Sequence, residues 1–476
     1  MAKLDLNREE MPRQEPHMRS KNFDEVALGY AVEQATHEAN RCIQCVKRNC
    51  VAGCPVSVDI PEFIKALREG NMPEAAKILK GKNALPGICG RVCPQETQCE
   101  QVCTLSKRDA PIAIGRLERY VADWDHEQET SGKPKVDIAP PSGKKVAVAG
   151  SGPAGLTCAA DLAKMGHQVT IYEAMHVAGG VLIYGIPEFR LPKDIVQSEV
   201  DYVKSLGVEL KLDSVVGKLM SVDELLGNGY DAVFLGTGAG LPMFPNIPGE
   251  NFGGVYSANE FLTRVNLMKA YLPDNYDTPL PMGKRVAVIG GGNVAMDSAR
   301  CAIRYGAETV YTIYRRSAVE MPARAEEVEN AHEEGIIFKL LTNPLRFLAS
   351  GRCWVTAMEC IEMELGEPDA SGRRRPIPKP GSEFILDVDT VVVALGTTPN
   401  PLIPSTTEGL ATTSWGTVVV DKGTGQSVKH KVWAGGDLTT GAATVISAMG
   451  AGKTAAASID EYLRGNMSWP VFKENQ

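Results

Sequence analysis

The chain has 476 residues, 58 acidic against 50 lysine and arginine side chains, and a formal net charge of −8. That length implies two to four domains with ample core, and the acidic balance argues against nucleic acid as a main partner. No apolar run approaches the length of a membrane span, so no membrane association is expected.

The opening stretch, MAKLDLNREEMPRQEP, is polar and charged and lacks the apolar core of a secretory signal. Twelve cysteines, eight of them clustered, then imply a reducing, cytoplasmic setting. Residues 1–30 read as an extended arm, and 31–41 (AVEQATHEANR) as a helix leading into the cysteines.

Residues 42–103 hold Cys42, Cys45, Cys50, Cys54, Cys89, Cys93, Cys99 and Cys103, within CIQCVKRNCVAGCP and CGRVCPQETQCEQVC. Three readings compete. A disulfide scaffold needs an oxidising compartment. Structural zinc suits the Cys42/Cys45 pair, but zinc sites repeat a short pair at a distance, and the other spacings here do not. Iron–sulfur is favoured: three close thiolates followed by Cys-Pro resemble the bacterial ferredoxin run, stretched between Cys45 and Cys50, and two blocks supply ligands for two [4Fe–4S] clusters. Between the blocks, 61–80 reads as two helices, each with a proline in its first turn. Residues 111–125 read as a further amphipathic helix, and 126–143, polar and rich in Pro and Gly, as a linker. The front domain is thus small and helical, with metal contributing to its stability.

Residues 144–173 run strand, turn, helix, strand, acid. Gly150, Gly152 and Gly155 form G-x-G-x-x-G, which permits a tight turn, close approach of a pyrophosphate and packing of the helix on the strand; Glu173 is placed to bond ribose hydroxyls. Residues 284–316 repeat the plan with Gly290, Gly292 and Asn293, and Ala295 in the third place. The first unit ends TIY-Glu173 and the second TIY-Arg315-Arg316. A carboxylate repels a ribose 2′-phosphate, whereas arginine grips it bidentately. The first unit should therefore bind FAD and the second NADP(H).

Residues 231–240 and 389–399 each read as a buried strand running into a Gly/Thr turn, marking the crossings between the two units. In VWAGGDLTTGAATVIS (432–447), Asp437 is expected on the ribityl or pyrophosphate part of FAD, with an ordinary helix cap as the alternative. A helix from about Ala443, with Thr444 at its start, points its positive end at the flavin. Gly180 is also assigned to the FAD side. The segment 364–383 reads as a polar hairpin without chemistry, and 324–334 (RAEEVENAHEE) as a solvated helix. Cys158, Cys301, Cys353 and Cys360 have no close partner and read as core residues rather than a redox pair. No Ser-His-Asp set or paired-histidine metal site stands out, as expected for hydride transfer, which needs proximity rather than an acid or base.

The cysteine blocks, GSGPAGL, GIPEFRLPK, GGGNVAMD with its arginine pair, and AGGD with GAATV together resemble one family over almost the whole chain. It is that of the small (β) subunit of NADPH-dependent glutamate synthase, which includes the large subunit of the electron-bifurcating NADH-dependent ferredoxin:NADP oxidoreductase. The front and flavin halves also resemble the N-terminal part of dihydropyrimidine dehydrogenase. The resemblance implies one cluster on Cys42, Cys45, Cys50 and Cys103, and another on Cys54, Cys93, Cys99 and Glu118, with Cys89 spare. Eight cysteines for eight sites is the plainer count from sequence alone. It also implies that the 185–193 loop lies beside the flavin ring, with Glu188 and Arg190 near the ring or the nicotinamide, against the plainer reading of a proline-bounded loop.

The expectation is an α/β chain: a helical iron–sulfur domain (1–142), an FAD domain of doubly wound Rossmann type (143–280 and 391–476), and an NADP(H) domain of the same type (281–390) inserted into it. Electrons should pass between NADP(H), FAD and two [4Fe–4S] clusters to or from a second redox subunit. Three roles are expected: the NADP(H)-binding subunit of a bifurcating transhydrogenase, with a flavin/[2Fe–2S] partner subunit and ferredoxin; the small subunit of glutamate synthase, serving its large subunit; or a non-catalytic wiring module. The N-terminal arm resembles the anaerobe-type branch, where the bifurcating enzymes lie.

Overall fold

The computed structural model describes residues 7–108, 110–129, 137–351 and 353–469. The front domain is built on α1 (Val32–Asn40), α2 (Ile60–Arg68), α3 (Met72–Lys82), α4 (Pro86–Val92) and α5 (Ile114–Glu129). Pro61 and Pro73 sit in first turns, where a missing N–H costs nothing. Asn71 caps α3 by accepting from Glu74 N at 3.3 Å. Phe63, Ile64, Leu79, Leu85, Ile88 and Leu117 close the core, each such burial contributing roughly 1.5–3 kcal/mol. Helix α5 starts later and runs further than 111–125, so the expected linker is shortened; part of it, 130–136, lies outside the described residues.

The arm is not extended. It folds back on itself, Gln14 N bonding Val26 O at 3.0 Å and Leu28 N bonding Pro12 O at 2.8 Å. A buried Arg19 and a Phe23 stacked on Tyr271 at 4.3 Å anchor it. Charge in the arm did not mean solvation, because Arg13 and Arg19 meet carboxylates of the second nucleotide domain and Arg8 meets Glu100 of the front domain.

From the linker the chain lays down β1 (Lys145–Ala149), β2 (Gln168–Tyr172), β3 (Glu209–Lys211) and β4 (Ala232–Leu235). It leaves through β5 (Leu241–Pro242) and builds β6 (Val255–Ser257), β7 (Arg285–Ile289), β8 (Thr309–Tyr314) and β9 (Ile337–Leu340). It then adds β10 (Thr342–Ala349), β11 (Val355–Pro368), β12 (Arg374–Pro378) and β13 (Phe384–Asp387), followed by β14 (Thr390–Val393) and a return through β15 (Thr397–Thr398). Finally β16 (Val432–Ala434) completes the first sheet.

Two parallel sheets result, ordered β16-β4-β1-β2-β3 and β6-β14-β7-β8-β9. β1, β4, β7 and β14 are buried along almost their whole length, as strands covered on both faces must be. β5 and β15 pair antiparallel at the crossing, Thr397 opposite Pro242. The second sheet recruits β6, well before residue 281, and keeps β14, which runs from Thr390 to Val393 and so past residue 390. The expected boundaries at 281 and 390 were drawn too tightly, because a three-residue strand has no period to read. An antiparallel extension, β10 to β13, carries the 364–383 hairpin.

Helices α6 (Pro153–Lys164) and α7 (Lys193–Ser205) belong to the FAD-type unit, and α8 (Asn293–Arg304) and α9 (Ala325–Glu333) to the NADP-type unit. α10 (Val445–Leu463) returns to the first. α9 is not a solvated helix. Glu327, Asn330 and the following Glu334 are buried, and Glu334 bonds Arg300, Arg304 and Arg19 at 2.6–3.1 Å. No helix among the described residues is long and apolar enough to cross a membrane.

Candidate functional site

The first glycine turn is shaped for a dinucleotide. Gly150 has φ +97°, and a Cβ there would stand 2.6 Å from the Gly236 carbonyl oxygen. A Cβ on Gly155 would run into the Gly150 carbonyl, whereas Gly152 faces open space at the N-terminus of α6, where an anion meets free N–H groups. Gly180, at φ +56°, backs onto Gly152. Glu173 is buried; its Oε2 accepts from Ser151 N at 2.9 Å and Ser151 Oγ at 2.5 Å, and its Oε1 from Met175 N at 2.8 Å. The carboxylate is thus oriented by its own turn before any ribose arrives.

Asp437 opens a four-residue helix and accepts from Ala443 N at 3.2 Å. Burial raises its pKa. The helix expected from about Ala443 begins at Val445, and Thr444 is its cap, its hydroxyl accepting from Ser447 N at 3.2 Å. Tyr184 was not singled out in the sequence; burial, and then the charges of Asp437 and Glu173, push its phenol up to about 12.

In the second turn Gly290 has φ +146° and a Cβ would strike the Ala394 carbonyl oxygen. Gly291 lies under the Tyr314 ring, where a Cβ would sit 2.7 Å away, while Gly292 is open. Asn293 begins α8, and its Oδ1 accepts from Arg324 N at 2.9 Å. Arg315 and Arg316 follow β8 directly but differ. Arg315 is exposed and makes no hydrogen bond or ion pair among the described residues. Arg316 is buried against Asp369 and the Arg374 carbonyl.

The thiols segregate into two sets. Cys42, Cys45, Cys50 and Cys103 line one pocket with Ile60, Ile64 and Ile112. After burial and local hydrogen bonds, the charge of Glu118 raises the thiols of Cys54, Cys89, Cys93 and Cys99, and Cys54 acts likewise on Cys93 and Cys99. Burial raises Cys50 and Cys54 to about 11, so these groups stay protonated thiols until a metal displaces the proton. Glu118 is buried; its Oε1 accepts from Asn83 Nδ2 at 2.8 Å, and burial lifts its carboxyl to about 7. Cys89 lies within 3.7 Å of Asn83 Oδ1 and 3.5 Å of Met449 Sδ. Both candidates for a fourth ligand thus border the second set. Among the described residues, no group of three His, Cys, Asp or Glu side chains is placed to hold a metal ion. All twelve cysteines are free. Cys158, Cys301 and Cys360 are buried as expected, but Cys353 is exposed, at a positive-φ turn where no core reaches it.

The 185–193 loop departs from expectation. Arg190 is buried, and its Nη1 donates to both carboxylate oxygens of Asp297 of α8, Oδ1 at 2.8 Å and Oδ2 at 2.7 Å; its Nε is 3.3 Å from Glu327 of α9. It clamps one domain to the other. Glu188 accepts from Lys193 N at 3.2 Å, and burial raises its pKa. Phe189 lies beneath the guanidinium groups of Arg300 and Arg304, 4.7 and 3.9 Å from the ring centre. The charge of Arg190 thus serves docking between domains, while Glu188 and Lys193 bond within the loop itself.

Two glycine turns on parallel sheets and a helical domain with gathered thiols define an NADP(H)-dependent iron–sulfur flavoprotein oxidoreductase. Residues 19–130 match the family described as dihydropyrimidine dehydrogenase domain II, 4Fe-4S cluster, and residues 144–452 the pyridine nucleotide-disulphide oxidoreductase family. The chain is 36% identical over 465 residues to the glutamate synthase [NADPH] small chain of Escherichia coli, covering 97% of this chain and 98% of that one. It is 41% identical over 449 residues to the NADP(+)-dependent formate dehydrogenase subunit beta of Moorella thermoacetica, with 89% of this chain matched and only 61% of the relative's length spanned. Mycobacterium tuberculosis FprA in complex with NADPH shares the fold at 20% identity and TM-score 0.56, over 70% of this chain and 88% of that one. The chain belongs to the family of the glutamate synthase small chain.

Proposed function

We propose that the chain is the NADP(H)-handling subunit of a larger redox complex and wires a flavin to a partner through two [4Fe–4S] clusters. Cys42, Cys45, Cys50 and Cys103 hold the outer one; Cys54, Cys93, Cys99 and Glu118 hold the inner one. When bound, the flavin exchanges a hydride and the clusters carry single electrons, while the chain sets distance, orientation and potential. The observation that carries this reading is the order of the two thiol sets. The inner set abuts the FAD-type domain: Cys89 touches Met449 of α10, and a Cβ on Gly450 would meet the Pro55 carbonyl at 2.9 Å. Gly87 N also donates to Glu199 of α7 at 2.7 Å. The outer set lies at the surface beside the exposed apolar side chains of Ile43, Val46 and Val102, which suit a docking partner.

Two partners fit. The resemblance of the arm to the anaerobe-type branch supports a bifurcating ferredoxin/NAD transhydrogenase. The end-to-end match with the E. coli small chain supports glutamate synthase. Anaerobic co-purification from the native source separates them. A flavin/[2Fe–2S] partner of about 30 kDa, with ferredoxin reduction that requires NAD⁺, establishes the first. A far larger partner that makes glutamate from glutamine and 2-oxoglutarate establishes the second. Isolation as a lone chain reducing small acceptors overturns both.

A further inference from the structure

Where the arm, the front domain and the NADP-type domain meet, they enclose a cavity of about 460 Å³, a size that suits a small-molecule ligand. Arginines and glutamates line it in equal number, so composition does not fix the sign of a ligand; hydrogen bonding does. The least exposed carboxylates of the wall are already held. Glu100 accepts from Arg8 Nη2 at 2.7 Å and from Gly115 N at 3.2 Å. Glu25 accepts from Arg91 Nε at 2.8 Å and pairs with Arg119 Nη2 at 3.0 Å, and Glu327 pairs with Arg300. The donors are less well served. Among the described residues, the buried side-chain polar atoms of the wall that make no hydrogen bond are all donors: Nε of Arg8, of Arg190 and of Arg324. Arg190 Nε is 3.3 Å from Glu327 and Arg324 Nε 3.7 Å from Glu96, each out of line for a hydrogen bond. Both of these arginine side chains are more than nine-tenths buried. A buried N–H without an acceptor is costly. A guanidinium bonds a charged oxygen about twice as strongly as a neutral one, so an oxyanion displaces water from such a space.

We propose that this cavity binds a small oxyanion carrying two or more charges, a polycarboxylate or a phosphate compound, at a site distinct from both dinucleotide turns. Arg8, Arg190 and Arg324 supply the donors. Arg324 also sets what the ligand touches. Its backbone N donates to Asn293 Oδ1 at the second glycine turn at 2.9 Å, and its Nη1 and Nη2 donate to Arg91 O at 2.9 Å and Gln95 Oε1 at 3.3 Å, on the segment that carries Cys93 and Cys99. The bound anion therefore ties the arm, the front domain and the NADP-type domain together.

The test is calorimetric titration of citrate, and separately of inorganic pyrophosphate, into the full chain loaded with FAD and clusters and saturated with NADP⁺. Ionic strength is held constant, because salt screens such contacts, and sodium chloride is the control. At least one probe should bind saturably, one per chain, and raise the thermal midpoint as it does so. Citrate alone identifies a carboxylate ligand and pyrophosphate alone a phosphate ligand; either supports the site. Arg8→Gln and Arg324→Gln should each weaken the probe by roughly tenfold or more, the scale of a lost hydrogen bond to a charged group. Glu96→Gln, at a half-exposed side chain on the rim, should tighten it, because a negative charge beside Arg324 is removed. Weaker binding in the Glu96 variant means a cation site and overturns the proposal. So does heat no greater than that of the chloride control, or binding that Arg8→Gln and Arg324→Gln leave unchanged. A probe that binds only when NADP⁺ is absent occupies the second glycine turn instead, and also overturns it.

Discussion

Arg190 and Glu118 are both ionisable groups buried in the molecule, and their surroundings give them opposite tasks. The charge of Arg190 is met by Asp297 and Glu327, so the residue joins domains. Replacing it by alanine strands a buried carboxylate, which costs about 3 kcal/mol or more. Arg190→Ala should lower the thermal midpoint clearly while NADPH-driven flavin reduction at 25 °C persists. An unchanged midpoint with lost flavin reduction would return Arg190 to the flavin. Among the described residues, Glu118 has no ion pair; it bonds Asn83 and lies near thiols, an environment that suits a metal ligand better than an ion pair. Glu118→Ala should remove about half of the bound iron, the share of one of two clusters, and Cys89→Ala should not. Iron loss in the Cys89 variant alone would reverse the assignment. The glycine turns and Glu173 were legible in the sequence because their spacing is local. The roles of Arg190 and Arg316 were not, because each depends on a partner far along the chain: Arg190 meets Asp297 on α8, and Arg316 meets Asp369 only after β11 has turned back.

Among the elements, α9 shows the same limit on a larger scale. Its composition reads as solvated, yet Glu327 and Glu334 enter a buried network with Arg19, Arg190, Arg300 and Arg304. Amphipathic pattern finds faces that meet apolar cores, and it misses faces that meet charge. The network has a pH signature. Burial opposes ionisation of Glu334, but Arg304 and Arg300 outweigh it and hold the carboxyl at about 2, below its ordinary value of 4.5. A depressed carboxyl adds stability above the unfolded-state pKa and loses it as pH falls through the folded value. The acid limb of a stability profile should therefore steepen below about pH 4.5, and Glu334→Gln should flatten it while lowering stability at pH 7 by about 3 kcal/mol. An acid limb identical to that of the parent would contradict the ion-pair account. The strands at the centre of each parallel sheet, β1, β4, β7 and β14, were foreseen as short apolar runs, whereas the edge strands β3 and β9 were not. Nor was β6, three residues long, and with it went the domain boundary.

Across the whole molecule, the two thiol sets run from the FAD-type domain to the surface, and the arm and the 185–193 loop hold the NADP-type domain against both. Val46 stands fully exposed beside the outer set. Val46→Glu should weaken capture of the native partner at least tenfold, as a charge does in the apolar centre of an interface, and leave NADPH oxidation by a small artificial acceptor unchanged. Equal loss of both would place Val46 in the fold rather than at the interface. The central claim, an NADP(H)-fed flavin connected to two clusters, is tested most directly by anaerobic reductive titration of the reconstituted chain, with iron counted and flavin and cluster spectra followed together. The account predicts about eight irons per chain, flavin bleaching by NADPH at far lower concentration than by NADH, and two cluster signals that appear as the flavin is reduced. About four irons with a single cluster signal, or equal response to NADH and NADPH, would contradict it.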